Sequence, residues 1–113
     1  MIAAEQQDFE AARESYLISL AIKEKHGSPH DAATTYGQLG ILAGRQRRFE
    51  ESGRWLIRCL SNFLSARDQH NVKRAVRNFL DAYREASAAD KQKLELIWQE
   101  ANLGPFPTPP TQP

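Results

Sequence analysis

The sequence repeats itself at an interval of 40 residues. Shifting the chain by that interval places Phe9 on Phe49 and Leu20 on Leu60, among other identical pairs. In each copy the aromatic residue and the leucine are about three turns of an α-helix apart, so they share one helix face. A fixed period of about 20–50 residues in helical sequence is typical of solenoids, in which helix pairs bury their apolar faces against neighbouring pairs. We therefore expect a stack of helix pairs.

Helical periodicity extends over most of the chain. Strong helix formers are frequent, and no run of alternating β-branched residues indicates a strand. The predicted helices cover residues 1–6, 9–26, 29–46, 49–66, 70–86 and 88–102. Ser28 with Asp31, and Ser87 with Asp90, are spaced as capping boxes at the starts of two helices. Gly104 and the proline after it mark the end of the last helix.

Composition and charge exclude several classes of protein. The chain has 113 residues, enough for one domain, and 15 Lys+Arg against 14 Asp+Glu lack the basic excess of a general nucleic-acid binder. The single cysteine, Cys59, excludes a disulfide framework. The apolar runs are too short to span a membrane, and the first residues do not resemble a secretory signal, so we expect a cytoplasmic protein. The proline-rich residues 105–113 are expected to form a disordered tail.

The segment from Ala33 to Leu64 carries the most specific pattern. It contains Tyr36-Gly37-Gln38-Leu39-Gly40 and, on the next predicted helix, Phe49, Ser52, Leu56 and Cys59. This order of aromatic, Leu-Gly and small residues resembles the tetratricopeptide repeat. The resemblance implies that Gly40, Ser52 and Cys59 lie where two helices approach closely. The chain departs from the family in its period, which exceeds the usual value of about 34 residues, and in Ala43, which replaces a large aromatic residue.

The resemblance implies an all-α fold, a right-handed α-α superhelix of about two and a half helix pairs. Residues 1–104 would form this domain, with a half repeat at 1–28, a full repeat at 29–68 and a third pair at 69–104 that ends in a capping helix. The implied function is a protein–protein interaction scaffold that binds a peptide segment in a concave groove. Such a scaffold has no catalytic activity and needs no cofactor.

In the family, the first helix of each pair lines the groove. The matching positions here are Gln38, Ile41, Arg45, Arg74, Arg77, Asn78 and Arg84. Arg74, Arg77 and Arg84 are spaced by three and seven residues, so we expect them on one helix face. Because the planar guanidinium group can donate two parallel hydrogen bonds to a carboxylate, the groove is predicted to bind an acidic or carboxylate-ended peptide. A solvated helix face, partly neutralised by Asp81 and Glu85, is the alternative interpretation.

Two other functions are compatible with the sequence. The half repeat at residues 1–28 leaves apolar side chains without a complete partner helix, which would suit homo-oligomerisation. The second is nucleic-acid binding through Arg45, Arg47, Arg48, Arg54 and Arg58. We expect those arginines to form a solvated turn instead, because two glutamates follow directly and no aromatic residues alternate with them. The predicted partner is therefore a protein or a peptide, and neither a nucleic acid nor a membrane.

The remaining candidate residues favour structural roles. His26 and His30 are four positions apart, but Gly27-Ser28-Pro29 interrupts the helix between them, so no metal pair is expected. Cys59 is expected to be a buried, unreactive thiol. Trp98 is expected to close the end of the stack. Trp55, next to a core position, is expected to be partly exposed on the convex side.

Overall fold

The protein consists of five α-helices in a computed structural model that describes residues 2–107, with side chains described from residue 8 onward. The helices are α1 (Ile2–His26), α2 (Pro29–Arg45), α3 (Phe49–Ser65), α4 (Gln69–Glu85) and α5 (Ala88–Glu100). This part of the chain contains no strand, and none of its helices is long and apolar enough to cross a membrane. The predicted tail residues 108–113 lie outside the described residues.

The first helix differs from the prediction of two segments at 1–6 and 9–26. It runs without interruption from Ile2 to His26. No glycine or proline occurs before Gly27, so nothing in the sequence requires a break. The other four predicted helices are confirmed to within two residues at each end, and the capping box at Ser28 is present.

Helices α2, α3 and α4 follow one another with regular spacing. Each has 17 residues, and each is separated from the next by three residues. The middle residue of each turn, Arg47 or Arg67, has a left-handed backbone with φ of 61° and 57°. The amide N–H of the next residue donates a hydrogen bond to the preceding helix in both turns. These bonds run from Arg48 N to Ala43 O at 2.9 Å and from Asp68 N to Phe63 O at 3.0 Å, and each closes a Schellman motif. Two such helix-and-turn units account for the 40-residue period.

Helices α2 and α3 pack closely because small residues lie at their contact. Ser52 is 1% exposed and its hydroxyl donates a hydrogen bond of 2.7 Å to Gly40 O. Cys59 is 4% exposed, and a Cβ added at Gly37 would lie 3.2 Å from its sulfur. The prediction that Gly40, Ser52 and Cys59 occupy close helix crossings is therefore confirmed.

The C-terminal end of the core is aromatic. Phe79 of α4 is 1% exposed and lies against Trp98 and Phe106, with ring centroids 5.4 and 6.0 Å away. The Trp98 indole donates a hydrogen bond of 3.0 Å to Gly104 O, which turns the chain back across the end of α5. Trp98 closes this end as predicted, but the packed part of the chain extends beyond Gly104 to Phe106.

A polar contact joins the start of α2 to the start of α4. His30 Nε2 lies 2.8 Å from Asp68 Oδ2, and the same carboxylate caps α4 by accepting a hydrogen bond of 3.1 Å from Asn71 N. The hydrogen bond with His30, followed by those with the side chain and backbone of Asn71, lowers the pKa of Asp68 from 3.8 to about 2. Asp68 therefore favours the folded state in its ionised form.

We expect the Asp68→Asn variant to be less stable than the parent above about pH 4. The folded-state pKa of about 2 lies below the ordinary 3.8, so the stabilisation is fully present above the ordinary value and is lost as the pH falls through about 2. Urea unfolding of both proteins at pH 5.5 and at pH 2.5 should show a stability difference that shrinks at the lower pH. A constant difference would mean that the charge of Asp68 contributes nothing.

Candidate interaction surfaces

A groove runs between α2 and α4 on one side of the molecule. It consists of two cavities of about 190 and 380 Å³, and both are lined by Ile41 and Asn78. Cys59 and Phe63 of α3 contribute to the wall of the smaller cavity, and Leu56 to the wall of the larger one. We call this continuous depression the α2/α4 groove.

The groove brings together five of the seven predicted binding residues. Gln38, Ile41, Arg74 and Asn78 line the smaller cavity, and Arg45 joins Ile41 and Asn78 in the larger one. Ile41 is 40% exposed although it is a large apolar residue. The groove thus presents an apolar centre flanked by side-chain amides.

Arg77 and Arg84 do not line the groove, although both are exposed. Successive helical residues are rotated by about 100°, so Arg77 points well away from its groove-lining neighbour Asn78. Arg84 forms an ion pair with Asp81 on its own helix. The predicted row of three arginines is therefore divided, and only Arg74 lies in the groove.

The charge of the groove changes along its length. Arg74 is the only charged side chain that lines the smaller cavity. Its guanidinium donates a hydrogen bond of 3.5 Å to Asn71 Oδ1. In the larger cavity Arg45 is accompanied by Asp81 and Glu85. One end of the groove is therefore positively charged, and the other end carries charges of both signs.

The thiol in the groove wall is buried, as predicted, with Cys59 4% exposed. Burial raises the pKa of Cys59 to about 11, against a smaller opposing effect of the Arg74 charge. A protonated thiol is a poor nucleophile at neutral pH, so this environment favours a structural role for Cys59.

A second depression, of about 690 Å³, lies between α1, α3 and the start of α5. Its arginines are Arg13, Arg47, Arg48, Arg54 and Arg58, and we call it the arginine cleft. Four of these five belong to the cluster that the sequence analysis assigned to a solvated turn. Arg13 was missed, because it comes from another helix and reaches the cleft only through the packing of α1 beside α2 and α3.

Two glutamates of α3 form ion pairs with two of these arginines. Glu51 accepts a hydrogen bond of 3.3 Å from Arg13 and one of 3.2 Å from the indole of Trp55. Glu50 lies 3.0 Å from Arg54 and 3.7 Å from Lys93 of α5. The hydrogen bond from Arg54 is the main reason why the pKa of Glu50 is lowered. Both glutamates are thus already neutralised within the chain.

The larger aromatic side chain of the cleft, Trp55, is partly covered by its neighbours. Trp55 stacks on Tyr36 with ring centroids 5.8 Å apart, and the Arg58 guanidinium lies over both rings. Arg58 also donates hydrogen bonds of 3.0 Å to the Tyr36 hydroxyl and 3.3 Å to Glu24. Burial, followed by the hydrogen bond to Glu24, raises the pKa of Tyr36. Trp55 is half-buried, as predicted, and presents only part of its ring to the cleft.

Two large apolar residues are exposed on the outer face of α1. Ile18 is 65% exposed and Ile22 is 58% exposed, whereas Leu20 on the opposite face is buried against α2. Phe9 and Tyr16 are half-buried. Among residues 8–26, whose side chains the structure describes, Ile18 and Ile22 are the large apolar residues of the predicted N-terminal half repeat that remain exposed.

Metal-ligand geometry is absent from the described residues, where no group of three or more His, Cys, Asp or Glu side chains could hold an ion. His30 pairs with Asp68 and not with His26.

Comparison of the chain with protein-family models, with curated proteins and with solved structures finds no match.

Proposed function

We propose that this chain is a protein-interaction module of the tetratricopeptide type, a right-handed helical solenoid that holds an extended peptide segment in the α2/α4 groove. The regular spacing of α2, α3 and α4 and the small residues at the α2–α3 contact support the solenoid. The position of the two cavities side by side, with Ile41 and Asn78 lining both, supports peptide binding most directly, because an extended segment needs a groove longer than one side chain.

The side chains of the groove suit the backbone of a peptide. The amides of Gln38 and Asn78 each offer donors and an acceptor to peptide N–H and C=O groups. The exposed Ile41 between them would pack against an apolar side chain of the ligand. Polar groups that fix register around an apolar centre are typical of peptide and small-ligand sites.

Arg74 determines at which end of the groove an acidic group of the proposed ligand would bind. It is the charged group of the smaller cavity, whereas Asp81 and Glu85 accompany Arg45 in the larger one. A carboxylate of the peptide, at a side chain or at its C-terminus, would therefore bind at the Arg74 end. The opposite end would accept a neutral or mixed-charge sequence.

We expect Arg74→Ala to weaken binding of groove ligands about tenfold or more, whereas Arg77→Ala should change it by less than about twofold. A hydrogen bond to a charged group is worth about 1.5–3 kcal/mol, and of the two arginines Arg74 and Arg77 only Arg74 lines the groove. Fluorescence anisotropy with peptides selected from a random-sequence phage library against the parent chain would measure both affinities. Equal effects of the two substitutions, or failure to select any peptide, would contradict the proposed groove.

Self-association is a second candidate function, favoured by the exposure of Ile18 and Ile22. A shift of 40 residues places Ile18 on Arg58 and Ile22 on Asn62. Both of these α3 residues donate hydrogen bonds to the preceding helix α2, at Tyr36 and Pro29 respectively. By this equivalence the two isoleucines face the place where a preceding helix pair would pack, and the same face of a second copy could fill it.

We expect sedimentation at tens of micromolar to detect a dimer if this interpretation is correct. The double variant Ile18→Lys, Ile22→Lys should then be monomeric, because it places two charges in the interface. A monomeric parent chain at that concentration would exclude self-association and leave the peptide groove unaffected.

A further inference from the structure

The arginine cleft carries more positive charge than its acidic residues neutralise. Glu51 is engaged by Arg13, and Glu50 by Arg54 and Lys93. Asp90 accepts a hydrogen bond of 3.3 Å from the Ser87 hydroxyl at the start of α5. The two glutamates are therefore paired with cations and Asp90 is not, but five arginines face these three acidic side chains in the cleft.

Arg47 and Arg48 have no carboxylate partner among the described residues. Arg47 lies over the ring of Phe49, 5.2 Å from its centroid, and donates a hydrogen bond of 3.4 Å to the backbone oxygen of Glu85. The side chain of Arg48 is exposed and makes no hydrogen bond or ion pair in the part of the chain that the structure describes. The guanidinium groups of these two consecutive residues are thus available for an external anion.

The backbone holds these two arginines in fixed positions at the rim of the cleft. The α2–α3 turn is closed by hydrogen bonds of 3.0 Å from Arg47 N to Gly44 O and 2.9 Å from Arg48 N to Ala43 O. A side chain on a rigid turn loses less conformational freedom on binding than one on a flexible loop.

We propose that the arginine cleft is a second binding surface, which takes an acidic peptide segment. Arg47 and Arg48 would each bind one carboxylate of the segment through their planar guanidinium groups. The exposed part of Trp55 would contact an apolar side chain between or beside the acidic residues. This surface lies on another side of α3 from the α2/α4 groove and shares only Phe49 with it.

An acidic peptide fits the cleft better than a nucleic acid does. Binding of single strands relies on aromatic faces on which bases can stack, but Tyr36 and Arg58 cover Trp55, and Phe49 is 4% exposed. The carboxylates of Glu50 and Glu51 also interrupt the positive surface, which a continuous phosphate backbone could not avoid. A peptide can place its few carboxylates beside Arg47 and Arg48 alone.

The test uses fluorescein-labelled hexaglutamate as the probe and anisotropy at low and at physiological salt. We expect weak, salt-sensitive binding to the parent chain and at least a tenfold loss in the double variant Arg47→Ala, Arg48→Ala. The matched control is the double variant Arg67→Ala, Arg77→Ala, which loses the same charge from exposed positions outside the cleft and should bind within about twofold of the parent. Thermal unfolding of both variants checks that they remain folded.

Four results would overturn the proposal. Equal losses in the two double variants would show a nonspecific charge effect, and no binding at low salt would exclude the site. A 12-residue deoxythymidine oligonucleotide that binds more tightly than hexaglutamate, and loses affinity in Arg47→Ala, Arg48→Ala, would assign the cleft to nucleic acid. The single variant Arg74→Ala separates the two surfaces, because Arg74 is the proposed carboxylate-binding residue of the α2/α4 groove. A loss of hexaglutamate binding in this variant as large as the loss in Arg47→Ala, Arg48→Ala would assign the acidic probe to the groove and leave the proposed function standing.

Discussion

Replacing Phe79 by alanine is expected to lower the free energy of unfolding by about 3–5 kcal/mol. The side chain is 1% exposed and joins α4 to the C-terminal closure, with Trp98 at 5.4 Å and Phe106 at 6.0 Å between ring centroids. Its removal would leave a cavity that these larger neighbours cannot fill without moving apart. For a domain of this size such a loss is a large share of a total stability of about 5–15 kcal/mol.

Urea unfolding followed by circular dichroism would measure the effect of Phe79→Ala. Leu96→Ala is the appropriate control, because Leu96 is also a large apolar residue of the C-terminal half but is 57% exposed. It should change stability by less than about 0.5 kcal/mol. Similar losses in the two variants would show that the aromatic cluster is not a cooperative part of the core.

The sequence predicted the helical framework well because local signals mark its boundaries. Ser28 and Ser87 begin α2 and α5 by accepting hydrogen bonds from the backbone N–H of Asp31 and Asp90. The three-residue turns after α2 and α3 fix antiparallel neighbours. The small residues of the α2–α3 contact could be identified as well, because the segment that carries them resembles the tetratricopeptide repeat.

The candidate sites could be predicted only in part. Their composition depends on how each helix is rotated about its axis and on which other parts of the chain pack against it. Arg77 and Arg84 share the general face of Arg74 in the sequence, yet the rotation of α4 excludes both from the groove. Phe106 follows a proline and has no helical period, so only the return of the chain across Trp98 reveals its place in the core. Arg13 reaches the arginine cleft through tertiary packing alone.

Replacing Gly40 by alanine is expected to make the protein about 1–3 kcal/mol less stable than the matched variant Gly44→Ala. A Cβ at Gly40 would lie 2.6 Å from Leu56 Cγ and 3.3 Å from Leu56 N, and Leu56 is 2% exposed, so neither its side chain nor its backbone has room to move away. A Cβ at Gly44 would meet only Ser52, with the hydroxyl oxygen 3.3 Å away.

The comparison of these two variants isolates the helix contact. Both substitutions replace a glycine within α2, so the gain in helix propensity of up to about 1 kcal/mol cancels in part; it is smaller at Gly44, the next-to-last residue of the helix. Gly44→Ala should therefore be neutral or slightly stabilising, whereas Gly40→Ala should push α3 away from α2. Because both helices contribute to the walls of the α2/α4 groove, the same displacement should also weaken peptide binding. Equal stabilities of the two variants in urea unfolding would show that α2 and α3 do not depend on close contact at Gly40.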